Sequence, residues 1–195
     1  MKIKSSIISN QSKSFNNIKP EKASTNGYYK KCLPFRPSFG SEGAIRNFAK
    51  VSEGLLRGGF LNKKGFQILK TENVSLIIDL RTILDPLEAF MMAIEKIRAK
   101  KLGIKHINIS VSLYGMNSAK RIQKILDLVE NNPKTYIHCM WGQDRTSFVA
   151  AAYKIVKQKK EIQAAINDEI IKFGHDYKNL PKLIPNLKKI VPELK

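Results

Sequence analysis

At 195 residues the chain can build one domain around a substantial core but not two full domains. Its 35 Lys and Arg against 16 Asp and Glu leave a formal charge of +19, a field that concentrates anions without choosing among nucleic acid, acidic lipid headgroups and small polyphosphates; a lysine-rich coding bias accounts for the same number, since only seven of the cations are Arg. The apolar runs fall well short of the ~20 residues of a membrane helix, and two cysteines, Cys32 and Cys139, exclude a disulfide scaffold or a four-cysteine zinc site, so a soluble protein of a reducing, cytoplasmic compartment is expected.

Residues 1–40 are dominated by Ser, Asn, Gln and Lys and end in Pro34, Pro37 and Gly40, the composition of a weakly ordered basic arm ahead of a folded domain at 41–195. Ile3, Ile7 and Ile8 do not amount to the roughly 7–15-residue apolar segment of a secretory signal. The polar, Ser-rich start is similar to the export signals of proteins injected by bacterial secretion machines, which would allow delivery into a host cell as an effector.

Past the arm, 47–51 and 55–57 read as short strands meeting at Ser52-Glu53-Gly54, and Asn62 caps a helix carrying Phe66 and Leu69. The continuous apolar run at 74–80 is that of a strand buried on both faces. Asp85-Pro86 opens a helix whose expected core stripe is Leu87, Phe90, Met91, Ile94 and Ile97, with Gly103 as its stop. Residues 104–109 alternate as a strand, and Ser118 caps a helix packed through Ile122, Ile125, Leu126 and Val129. A short strand at 135–137 precedes a helix over 145–156, and a last helix with Ile162, Ala165, Ile166, Ile170 and Phe173 ends at Gly174. Alternating strands and helices predict an α/β fold, a central mostly parallel sheet flanked by helices.

Between the 135–137 strand and the next helix lies His138-Cys139-Met140-Trp141-Gly142-Gln143-Asp144-Arg145-Thr146. A helix amino end presents unpaired N–H groups and positive partial charge, a ready phosphate site. A helix terminus and a nearby guanidinium lower a thiol pKa, so Cys139 is expected to stand as a thiolate, while the planar fork of Arg145 can grip two phosphate oxygens. Gly142 allows a turn that a side chain would obstruct. Met140, Trp141, Gly142 and Gln143 are then the positions that wrap the bound anion.

His138 followed by Cys-x5-Arg-Thr resembles the active-site loop of the protein tyrosine phosphatase superfamily, and Gly-x-Asp-Arg-Thr within it is similar to atypical dual-specificity-like and lipid phosphatases of bacteria and to the myotubularin lipid phosphatases. Leu55-Leu56-Arg57-Gly58-Gly59 and Ile77-Ile78-Asp79-Leu80-Arg81 extend the likeness over residues 45–190. It implies a cysteine-phosphatase fold and a phosphomonoesterase working through a phosphocysteine intermediate, without a cofactor. Phosphoinositides, inositol phosphates and phosphotyrosine all fit such a loop; the positive charge and the position of Asp144 lean toward the first two. Bacterial relatives often carry Lys where this chain has Gln143, a departure that weakens any carried-over preference for highly charged phosphoinositides.

Asp144 is the candidate proton donor to the leaving oxygen, because 111–118, where many superfamily members keep their acid, holds no Asp or Glu; an ion pair that orients Arg145 is the alternative. His138 either bonds into the loop or ends a half-buried strand. The resemblance implies that Thr146 donates a hydrogen bond to the Cys139 sulfur. Trp141 either packs on substrate at the rim or anchors the loop in the core. Asp79 and Arg81 read as residues that tie loops together, and Asp168-Glu169 and His175-Asp176 as a solvated face, with Asp176 and then Asp79 as reserve acids. The three histidines, His106, His138 and His175, have no metal-ligand spacing, so no metal is expected. The partners implied are an anionic phosphorylated substrate and peripheral contact with an acidic membrane surface, for a monomeric chain. A non-enzymatic phospho-ligand or nucleic-acid-binding module stays open as another class, although basic residues here lack aromatic interleaving.

Overall fold

Five strands of four residues each, β1 (Ala49–Ser52), β2 (Leu55–Gly58), β3 (Leu76–Asp79), β4 (Lys105–Asn108) and β5 (Thr135–His138), form one sheet in the order β1-β2-β5-β3-β4. The computed structural model describes residues 44–84 and 86–195; the arm read at 1–40, with Cys32, lies outside them. Strand β1 runs antiparallel to β2 and the other pairings are parallel, the mostly parallel sheet expected from the sequence. Every residue of β2, β3 and β5 is buried, whereas edge strand β4 exposes Lys105 and Asn108. That difference follows from helices covering both faces of the inner strands.

Successive side chains of a strand point to opposite faces, so Leu76 and Ile78 enter one core and Ile77 the other. The first core packs α3 (Ala119–Glu130), α4 (Asp144–Val156) and α6 (Leu183–Ile190) on the sheet through Ile122, Leu126, Phe148 and Leu187. The second holds α1 (Lys63–Thr71) through Phe66 and Leu69, with Ile45, Leu56 and Tyr136. The expected caps are present: Asn62 accepts from the Gly65 amide at 2.8 Å and Ser118 from the Arg121 amide at 3.3 Å. Among the described residues no helix is long and apolar enough to cross a membrane.

Two elements differ from the sequence reading. In α2 (Pro86–Lys101) the expected stripe is turned outward: Leu87, Phe90 and Ile97 are exposed and Met91 and Ile94 half-buried, while Met92, Glu95 and Ala99 are buried. The cause is electrostatic. Glu95 pairs with the fully buried Arg81 and accepts from the Leu61 amide at 2.8 Å, and Glu88, about two turns earlier on the same face, pairs with Arg145. Two buried guanidinium groups need carboxylates more than the helix needs its leucine inside.

The expected last helix breaks up into α5 (Ile162–Ile166), a π-helical turn (Asn167–Ile171) and a left-handed Gly174 at φ 77°, and α6 follows it. The wider turn brings Glu169 inward, so Asp168-Glu169 is not one solvated face: Asp168 pairs with Lys154 at 3.4 Å near the surface, and Glu169 is buried on Arg57.

At the carboxyl end of the sheet the register places Gly58, His138 and Asp79 side by side on β2, β5 and β3. The segments that leave these strands therefore converge over β5, where open α/β sheets bind ligands.

Glu95→Ala, which strands Arg81 in the interior, should lower unfolding free energy by about 3–5 kcal/mol, whereas Ile97→Lys should stay within about 0.5 kcal/mol of wild type. Urea denaturation of both variants measures this; the reverse order would restore the apolar stripe as the buried face of α2.

Candidate active site

The loop between β5 and α4 is held open from outside. Phe60 N–H donates to the Met140 carbonyl at 3.0 Å, Asn47 Nδ2 to the Trp141 carbonyl at 2.9 Å, and Arg57 Nη2 to the Gly142 carbonyl. In a trans peptide the C=O and the following N–H point opposite ways. Three carbonyls turned outward thus turn the amides of Trp141, Gly142 and Gln143 inward, the arrangement a bound anion requires. Gly142, at φ 66°, is required twice over, since a Cβ there would lie 2.5 Å from the Gly58 backbone carbon. Gln143 is the residue before α4 and makes no side-chain cap, so the first-turn amides are left for a ligand; its Nε2 donates to the Gly174 carbonyl instead. Trp141 is half-buried with the Arg46 guanidinium 4.9 Å from its ring, so it is not a core anchor.

Arg57 is the residue the sequence reading undervalued. It is completely buried in β2 and bonds the Gly142 carbonyl, Ser147 Oγ at 2.9 Å, and the Glu169 carboxylate at 2.6 Å. A charged side chain inside an apolar strand was the available signal, since such a group must have a buried partner.

Cys139 lies at the floor of the loop, buried and as a free thiol. Arg145 is in the first turn of α4, and its Nη2 and Nη1 meet the two oxygens of Glu88 at 2.7 and 3.2 Å while its buried Nε has no partner. Burial opposes the charge on Arg145, but the Glu88 carboxylate and the nearby Cys139 sulfur outweigh it and hold its pKa above the usual arginine value. Thr146 corrects the expectation attached to it: its hydroxyl donates to the Gly58 carbonyl at 3.4 Å, because β2 ends directly beside the loop. His138 is fully buried, not half-buried. Its Nδ1 lies 3.2 Å from the Cys139 carbonyl, its ring stacks on Tyr136 at 5.4 Å between centroids, and burial lowers its pKa to about 4. It stabilises the backbone at Cys139 as a neutral ring.

Asp144 and Arg145 do not pair with each other. Adjacent helical residues point about 100° apart, and each has its own partner. Asp144 Oδ1 lies 2.7 Å from His175 Nδ1 and accepts from the Asp176 amide at 3.4 Å. The role of orienting Arg145 falls to Glu88, which sequence spacing could not reveal. His175 is buried, so the solvated-face reading of His175-Asp176 fails at its first member. Asp176 is engaged with Asn179 at 2.7 Å, which with two backbone amides lowers its pKa.

Asp79 and Arg81 do tie loops together, as expected. Arg81 Nη2 lies 2.6 Å from Asp79 Oδ2 and also meets Glu95, and Asn108 Nδ2 donates to the carbonyls of both Asp79 and Arg81 at 2.9 Å. Asp79, Glu95, His106 and His138 present ligand atoms within 4.8 Å of one another, a metal-like group that spacing along the chain conceals. The Arg81 guanidinium already neutralises both carboxylates, so the group does not suit a second cation.

A family described as "DSP-PTPase phosphatase fused to NAD+ Kinase" (PTP-NADK) matches residues 38–179. Among solved structures, TpbA of P. aeruginosa superposes with a TM-score of 0.61 at 16% identity, over 76% of this chain and 91% of that one. The core catalytic domain of the PP-IP phosphatase SIW14 from S. cerevisiae gives 0.59 at 20%, over 78% and 87%, and PTPMT1 gives 0.57 at 20%, over 75% and 97%. At these identities the likeness is one of fold. No curated protein sequence matches the chain.

An unfolded histidine takes up a proton as pH falls below about 6.5, whereas native His138 resists until about 4. The unfolded state therefore binds more protons in that window, and stability falls as pH drops through it, by about 2 kcal/mol at pH 5. Thermal unfolding between pH 7 and 5 should show the midpoint falling, with a flatter slope for His138→Gln; equal slopes would mean that His138 titrates normally in the native state.

Proposed function

We propose that this chain, which belongs to the DSP-PTPase phosphatase family and is a cysteine-based phosphatase of the protein tyrosine phosphatase superfamily, hydrolyses phosphomonoesters of inositol lipids or inositol phosphates. The observation that carries the mechanism is the loop at 138–146, with a free cysteine at its floor, amides turned inward and an arginine fixed at the start of α4. The Cys139 thiolate attacks phosphorus as the bond to the leaving oxygen breaks, and Asp144 protonates that oxygen. Water then attacks the phosphocysteine, giving its proton to Asp144, and the S–P bond breaks to return the thiolate. Inward amides and Arg145 stabilise the charge that builds on the phosphoryl oxygens. His138 and Thr146 hold the backbone on either side of this centre.

Support for an inositol lipid comes from exposed apolar residues on segments that follow the strands. Ile83 and Leu84 follow β3, Phe90 lies on α2, Tyr114 and Met116 follow β4, and Tyr177 packs beside His175; all are exposed, Leu84 by 88%. Exposed apolar side chains on segments that follow the strands, on a chain of charge +19, suit a headgroup at an acidic membrane surface. PTPMT1 has been solved with PI(5)P and TpbA with pTyr, so the competing substrate is phosphotyrosine.

The purified chain should release phosphate faster from phosphoinositides in acidic vesicles than from tyrosine phosphopeptides, resist chelators and be blocked by vanadate; Cys139→Ser should bind substrate without turnover. Preference for the phosphopeptide would overturn the substrate, and loss of activity in EDTA restored by metal would overturn the mechanism.

Asp144→Asn should slow cleavage of alkyl or inositol phosphates by about 100-fold or more while affecting p-nitrophenyl phosphate less, because a good leaving group needs little protonation. Equal losses on both would remove Asp144 from the acid role.

A further inference from the structure

The candidate acid is not alone at the mouth of the loop. Its Oδ1 receives His175 Nδ1 at 2.7 Å and the Asp176 amide at 3.4 Å, while Oδ2 has no hydrogen-bond partner among the described residues. The side chain of His175 is 1% exposed and that of Asp144 15%, so the carboxylate is the more accessible of the two and the ring lies deeper. The loop itself helps to place the ring: Gln143 bonds the carbonyl of Gly174, whose φ of 77° turns the chain toward α4, and Tyr177 closes the other side with its ring 4.7 Å away. His175 Nε2 is buried without a partner. A carboxylate oxygen accepts, so in this contact the ring carries its hydrogen on Nδ1 and donates it to Asp144.

We propose that His175 is the positioning residue of the general acid: with the Asp176 amide it occupies Oδ1, leaving the acid proton to Oδ2, the oxygen open to substrate. The inference rests on Asp144 being the acid. When the Cys139 sulfur–phosphorus bond forms and the bond from phosphorus to the leaving oxygen breaks, the electron pair goes to that oxygen and the Oδ2 proton follows. The carboxylate charge left on Asp144 is met by the Nδ1–H already in place. In the second step water gives its proton back to Oδ2 as its oxygen bonds phosphorus and sulfur departs as thiolate. A histidine behind the carboxylate thus serves both half-reactions without changing its own proton count.

The test is the dependence of kcat on leaving group, measured on the full chain with phosphates from p-nitrophenyl to alkyl. Removing the Nδ1–H in His175→Ala should cost about 10-fold or more on the alkyl ester and less than about 3-fold on p-nitrophenyl phosphate. An asparagine amide can stand where Nδ1–H stood and a glutamine amide where Nε2 stood, so His175→Asn should recover most of the alkyl-ester rate and His175→Gln should not. This near-isosteric pair decides the matter even if the alanine variant fails to fold. Adding His175→Ala to Asp144→Asn should cost nothing further, since both act on one proton. A uniform loss across all leaving groups, or equal rates for the Asn and Gln variants, would overturn the inference. If Asp144→Asn itself lacks leaving-group dependence, the acid assignment fails and the role of His175 goes with it; if only the His175 variants lack it, the acid stands and His175 is merely structural.

Discussion

The site depends on a guanidinium that never meets solvent. Arg57 sits in β2 with no exposed surface, bonding the Gly142 carbonyl on one side and the Glu169 carboxylate on the other, under the face of Phe173 at 3.6 Å. Burial pulls its pKa down and the charge of Glu169 opposes that pull. Such a group is tolerable only while every partner is in place. The π-helical turn delivers Glu169, Lys154 flanks it at 2.6 Å, and the outcome is a loop carbonyl turned away from the phosphate position. An irregular turn in the last third of the chain is thereby coupled to the orientation of an amide in the catalytic loop.

Helix α2 makes a second coupling of the same kind. Its inward face carries Glu88 and Glu95 with Met92 and Ala99, and the two carboxylates meet Arg145 and Arg81. Arg145 is thus oriented before substrate arrives, with Nε still unpartnered inside the loop. In the proposed mechanism an incoming phosphate would meet a guanidinium fixed along one edge, and binding would cost less side-chain entropy than with a mobile arginine. The same choice of face leaves Leu87, Phe90 and Ile97 exposed.

What could be read in the sequence was local. The run at β3, the caps Asn62 and Ser118, the glycine at 142 and the cysteine-to-arginine spacing each announce themselves within a few residues, and each lies where it was expected. What could not be read depends on partners far along the chain. Glu88 is 57 residues from Arg145, His175 is 31 from Asp144, and Glu169 is 112 from Arg57. Periodicity misled in α2 because it weighs apolar residues alone, while two buried arginines selected the opposite face. Helix α6 was not expected from the sequence; its Pro185 falls in the first turn, where no amide partner is needed.

These constraints meet at the start of α4. Asp144 and Arg145 are adjacent and of opposite sign, and a pair formed between them would hold the phosphate clamp and the proton donor against each other. Helical geometry sends them to different sides, and separate elements receive them: α2 takes the arginine through Glu88, and the turn after the π-helix takes the aspartate through His175. The charge proposed to attract phosphate and the group proposed to release a proton are therefore restrained independently. In the proposed reaction, positioning is thus built into one turn of helix braced from two directions.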